Sequence, residues 1–175
     1  YGAWENQWTL LDLANSFGRV VSDRRLTLRC SPSSHGEGAV PDSLGLARHG
    51  WYGDFLSGLE AVAVDGTARG LAASWREKGL PRTVLAKTGT LNEPGEPTPA
   101  DDLFAKSLLF AVGQSAGQAG GPLQCGLVGG LYIRFSQGPE TGNLPSHQVD
   151  FATRQLGDFL AEYWAEFGAC PPEGN

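Results

Sequence analysis

Behind Thr9, the apolar residues Leu10, Leu13, Ala14, Phe17, Val20 and Val21 recur at three- and four-residue spacing, with Asp12 three residues after the threonine. That spacing predicts a helix from about Leu10 to Val21, its first turn capped by Thr9. A second helical period, Phe55, Leu56, Leu59, Val62 and Ala63, stops at Asp65-Gly66, and Thr67 is placed to cap a shorter helix through Ala73 or Trp75. Gly79 and Pro81 end the helical part. The period then changes: Thr83–Thr90, Leu103–Val112 and Gly126–Phe135 read as strands. Their links, Leu91–Asp102 with its prolines and acids and the glycine-rich Gly113–Gln124, do not read as crossover helices, which predicts an antiparallel meander.

Between the first two helices, Ser22 to Gly50 carries Pro32, Pro41 and a Ser-Pro-Ser-Ser-His-Gly-Glu-Gly run. It reads as a long surface connection with at most a short strand at Leu26-Thr27-Leu28. After a polar loop from Gln137 to Pro145, Ser146 starts a last helix, with Val149, Ala152, Leu156, Phe159, Leu160, Tyr163, Trp164 and Phe167 on one apolar face and a stop at Gly168. About 20 residues at about 1.5 Å per residue make a rod of roughly 30 Å, long enough to lie across a sheet, so helix-on-sheet packing is expected. The fold class is α/β in the broad sense, more narrowly α+β: an antiparallel sheet flanked by helices. Residues 1–168 form one unit without internal repeats, and 169–175 read as a tail.

Charge narrows the function. The chain of 175 residues carries a formal net charge of −6 with no Lys/Arg cluster, so no nucleic-acid partner is expected. Apolar runs such as Leu108–Val112 fall far short of the roughly 20 residues a spanning helix needs, so any membrane anchor is expected upstream of this chain. Cys30, Cys125 and Cys170 fit neither a zinc spacing nor a complete disulfide framework, which leaves the redox compartment open. His35, His49 and His147 are isolated and read as structural or solvated, and no metal or cofactor is expected.

Candidate chemistry lies at Lys87-Thr88-Gly89-Thr90, where the strand-prone run Thr83-Val84-Leu85-Ala86 ends. Gly89 lets a ligand approach the backbone of what reads as an edge strand. Beside it Lys87 supplies a positive charge, Thr88 and Thr90 supply hydroxyls, and the Thr90 N–H is available to an oxygen that becomes negative during reaction. A substrate carboxylate suits such a slot. Gly113-Gln114-Ser115-Ala116-Gly117 also matches a nucleophile elbow. The glycine- and proline-rich residues that follow do not open a helix, and no aspartate-then-histidine pair succeeds it, so this stretch reads as a hairpin loop.

Taken in order, the helix after Thr9, the turn Gly66-Thr67-Ala68 before the Lys87-Thr88-Gly89-Thr90 strand, two further strands and a terminal helix resemble the later half of a penicillin-binding transpeptidase domain, of the serine DD-transpeptidase and β-lactamase-like fold. The resemblance spans about residues 1–167. Thr9-Leu10-Leu11-Asp12-Leu13-Ala14-Asn15-Ser16 matches the family's first segment in part, lacking its proline and glycine. The family implies that this chain supplies the last three strands and the C-terminal helix. It also implies that Lys87 and Thr90 are catalytic, and that Thr88, Gly89 and Thr90 bind the carboxylate of a D-alanyl-D-alanine stem peptide or a β-lactam. The implied activity is acyl-serine transfer in peptidoglycan cross-linking, in the periplasm or on the outer face of the bacterial inner membrane.

One departure matters. The family's nucleophile lies in Ser-x-x-Lys and its helper in Ser-x-Asn, and neither occurs in this sequence; Ser74 to Lys78 is one residue too long. A lysine and two threonines bind and polarise but form no acyl intermediate without an activated hydroxyl, so this chain alone is expected to be inactive. The expected partner is therefore the missing N-terminal part of the same domain, in a longer polypeptide. The alternatives are a non-catalytic penicillin- or peptidoglycan-binding module or sensor, and a serine β-lactamase or DD-carboxypeptidase.

Overall fold

The computed structural model describes residues 8–25, 42–80, 83–92, 104–115, 120–135 and 145–167. Its first helix, α1 (Leu10–Ser22), starts where the sequence says it should: Thr9 Oγ1 accepts from the Asp12 amide at 3.1 Å, and the Asp12 carboxylate accepts from the Thr9 amide at 3.0 Å. Its far end is held by Asp23, in the left-handed conformation at φ 54°, and by the Tyr52 hydroxyl, which donates to Val20 O at 2.7 Å. A short 3-10 turn at Leu46–Arg48 leads into α2 (Trp51–Val64), followed by α3 (Arg69–Glu77).

Three strands follow, β1 (Thr83–Asn92), β2 (Phe104–Ser115) and β3 (Leu123–Phe135), and the expected antiparallel meander is present in the order β1-β2-β3. Register runs from Thr83↔Gly113 to Asn92↔Phe104, and from Phe104↔Phe135 to a shift at Gln114/Ser115. The described residues are thus α+β, with a three-stranded antiparallel sheet and four α-helices, the fourth being α4 (Pro145–Phe167).

Strand alternation sends neighbouring side chains to opposite faces and builds two cores. On one face Leu85 and Ala111 meet Phe17 and Val21 of α1 and Tyr52, Leu56 and Leu59 of α2. On the other, Val84, Ala86, Leu108, Phe110 and Val112 meet Leu71 and Trp75 of α3 and Leu160 and Ala161 of α4, joined by Ala63 from the last turn of α2. Burying both faces of β2 explains its near-continuous apolar run from Leu108 to Val112.

Two sequence expectations change. Thr67 does not cap α3: the cap residue is Ala68, with no side-chain bond, because the Thr67 hydroxyl is engaged elsewhere. The long last helix packs on α3 through Thr153 and Gly157; of its expected apolar stripe Val149 is buried and Leu156, Leu160 and Trp164 join the core beneath it, while Phe159 is 61 % exposed. An apolar stripe reports that a helix is covered, and a neighbouring helix satisfies it as well as a sheet does. Cys125 on β3 is disulfide-bonded, a matter the cysteine spacing left open; its partner lies outside the described residues. The expected strand at residues 26–28, most of the proline-rich link and the tail 169–175 also lie outside them.

Candidate functional site

The Lys87–Thr90 stretch is the second half of β1, at an edge of the described sheet. The apolar half of the strand fixes it: Val84, Leu85 and Ala86 are all at most 2 % exposed, and the two cores clamp them from opposite sides. Beyond Ala86 burial ends. Lys87 is exposed and Thr88 and Gly89 are half-buried, so one rigid strand carries a packed anchor and an open working end.

Thr88 is met from the side by the turn between α2 and α3. Its Oγ1 lies 2.7 Å from Thr67 Oγ1, a hydrogen bond across 21 residues of sequence. The turn is built to hold that threonine. Gly66 N and Asp65 N donate to Ala61 O at 3.0 Å each, and Ala68 N donates to Val62 O at 3.1 Å, wrapping the chain tightly over the end of α2. A Cβ on Gly66 would sit 2.8 Å from Val62 Cα, so no larger residue fits there. Ala68 is fully buried and pins the other side of Thr67. Gly66, Thr67 and Ala68 therefore serve, in turn, as close approach, reach and anchor.

On the other face, Gly89 pairs in register with Ser107, and a Cβ on Gly89 would lie 2.8 Å from Ser107 Oγ. The missing side chain thus leaves a half-buried hydroxyl next to the strand. The Lys87 ammonium donates to Thr88 O. Residues two apart in a strand present their backbone groups to the same side. The Thr90 N–H accordingly faces the side on which Thr88 O lies against the ammonium.

The residues singled out in the sequence, Lys87, Thr88, Gly89 and Thr90, thus fall on one strand end. Two hydroxyls missed as site residues, Thr67 and Ser107, lie against it. The Gly113–Ser115 part of the elbow-like stretch is the end of β2, and the rest lies outside the described residues. The arrangement offers a cation, two linked threonine hydroxyls and a serine hydroxyl around an exposed strand edge: donors for an anionic group. No helix in the described residues is long and apolar enough to cross a membrane. No family model, curated protein or solved structure significantly matches the chain.

Proposed function

We propose that the chain is the carboxylate-binding and oxyanion side of a penicillin-binding DD-transpeptidase domain, with the acyl-accepting serine on polypeptide outside these 175 residues. The observation that carries this reading is the 2.7 Å contact between Thr67 and Thr88, which brings the Gly-Thr-Ala turn onto the Lys-Thr-Gly strand. Either motif alone is short enough to arise by chance. Their meeting gives both a reason to be there.

In that role the two threonines act as a pair. When one hydroxyl donates to the other, the acceptor keeps its own proton, which is then free for a substrate carboxylate oxygen. Lys87, one of whose three ammonium protons is held by Thr88 O, has two left to stabilise negative charge on substrate or nucleophile. The Thr90 N–H stabilises the oxyanion that forms as the substrate carbonyl is attacked. Gly89 keeps the backbone accessible, so that substrate lies along the strand edge. The disulfide at Cys125 supports an extracytoplasmic location, since such bridges persist in oxidising compartments.

The test is to treat the polypeptide, as its own host produces it, with fluorescent penicillin and run it on a denaturing gel. A labelled band well above 18.5 kDa is expected. Lys87→Ala in that polypeptide is expected to slow labelling by about 100-fold or more, the scale of losing one electrostatic group at an oxyanion site. Residues 1–175 alone are expected to stay unlabelled. An unlabelled host product that still binds a D-alanyl-D-alanine peptide reversibly would replace the enzyme reading with a non-catalytic binding module.

A further inference from the structure

Beyond this site, α3 and α4, with Val64 of α2, form a groove of about 320 Å³ lined by Arg69, Gly70, Ala73, Arg76, Asp150 and Arg154. Three guanidiniums face one carboxylate there, on a chain whose net charge is −6. Arg69 spends Nε and Nη2 on Asp150 Oδ2, at 3.2 and 2.5 Å, and Arg154 spends Nη2 on Glu77 Oε1 at 3.1 Å. Arg76 forms no ion pair among the described residues. A guanidinium has five N–H donors and cannot be neutralised by deprotonation, so the groove keeps positive charge and unused donors at any physiological pH.

Helical spacing makes this a groove and not a scatter of surface charge. Arg69, Ala73 and Arg76 fall at i, i+4 and i+7 on one face of α3, so the two arginines stand about two turns, or roughly 10 Å, apart with only a methyl group between them. Gly70 brings α4 against this face: a Cβ there would lie 2.5 Å from Thr153 Oγ1 and 2.6 Å from Asp150 O. Asp150 and Arg154, one turn apart on α4, thereby close the far wall.

We propose that this groove binds a phosphoryl group, with a diphosphate as the best fit. A single carboxylate is saturated by one bidentate guanidinium, whereas a diphosphate has enough oxygens and enough length to engage Arg76 and a second arginine together. Asp150 holds Arg69 in place without cancelling the groove's charge. The inference is independent of the penicillin-binding reading, because none of its residues belongs to the Lys87–Thr90 site.

The experiment titrates the full chain with inorganic pyrophosphate by calorimetry, and sediments it with phosphatidylglycerol and, separately, phosphatidylcholine vesicles. Saturable pyrophosphate binding with Kd below about 1 mM is expected, weakened about tenfold or more by Arg76→Ala. Arg76 is exposed and forms no ion pair among the described residues, so the variant should melt as the parent does. Ala73→Glu, which puts a carboxylate between Arg69 and Arg76, is expected to give the same loss. Sedimentation with phosphatidylglycerol only, without pyrophosphate binding and lost in both variants, would assign the phosphoryl group to a lipid headgroup. The proposal is overturned if neither probe binds saturably, or if binding is unchanged in both variants. Fluorescent-penicillin labelling of the host polypeptide is expected to be unaffected by Arg76→Ala.

Discussion

Asp23 closes α1 in a left-handed conformation and is only 7 % exposed. Its carboxylate accepts from Leu46 N at 2.7 Å, Ser43 Oγ at 2.9 Å and Ala47 N at 3.4 Å, so one side chain stitches the helix end to the segment before α2. Burial pushes this carboxyl up, but those donors and the nearby Arg48 charge more than reverse the push and hold it below its ordinary value. A depressed folded-state pKa means the contribution to stability is full above the unfolded value of about 3.9 and is lost as pH falls through the folded value. Asp23→Asn tolerates the same backbone but loses the charge and replaces one of the two accepting oxygens with a donor, much as protonation of the carboxyl does. In urea titrations it is expected to cost about 1–2 kcal/mol at neutral pH, with the gap to the parent closing as pH falls below the ordinary carboxylate range. A gap independent of pH would show that geometry, not charge, makes the stitch. Tyr52, pushed up to about 12 by burial and by Asp23, keeps its donated bond to Val20 until well into alkali.

At the scale of elements, the α3–α4 pair is packed without room for a larger residue at its glycines. A Cβ on Gly157 would lie 2.8 Å from Ser74 Cβ and 3.0 Å from Leu71 O, and Trp75 stands edge-on to Trp164 at 5.5 Å and 82° just beyond. Gly157→Val must therefore push the helices apart and is expected to destabilise by about 1–3 kcal/mol in urea. A variant as stable as the parent would show that α4 slides freely on α3. Such contacts explain what was legible in advance. Among the described residues, periodicity located the four α-helices and three strands but not the 3-10 turn at Leu46–Arg48, because burial imposes its period on the longer elements, and Thr83–Ala86 announced β1 because branched residues favour a pleated surface. It did not identify partners. Phe159 fits the apolar stripe of α4 yet is exposed, and Gly157 reads as a weak spot until Ser74 is placed against it. Thr67 looked like a cap because threonine before a helix usually is one, and a tertiary partner, Thr88, overrode that preference. Ser107 was invisible as a neighbour of Gly89 because strand register, which joins them, is not written in either segment alone.

For the whole molecule, the sheet is covered on both faces and the proposed site lies where that cover ends, at the polar half of β1. The anchoring half of the strand belongs to both cores, so rigidity at Lys87 depends on the packing of all four helices and not on the site itself. One covalent tie adds to this packing, since Cys125 of β3 is disulfide-bonded. With three cysteines in the chain, a single bridge leaves one thiol. The chain purified without reductant and unfolded in guanidinium is therefore expected to titrate one thiol with a chromogenic disulfide reagent, and three after reduction. Reduction is also expected to lower stability by about 2–4 kcal/mol, as removing a loop closure from the unfolded chain typically does. Because disulfides persist in oxidising compartments, the same titration bears on location. One thiol in protein taken directly from its host fits residence outside the reducing cytoplasm, as the proposed function expects. Three thiols in that sample would remove the bridge and, with it, the structural support for an extracytoplasmic site.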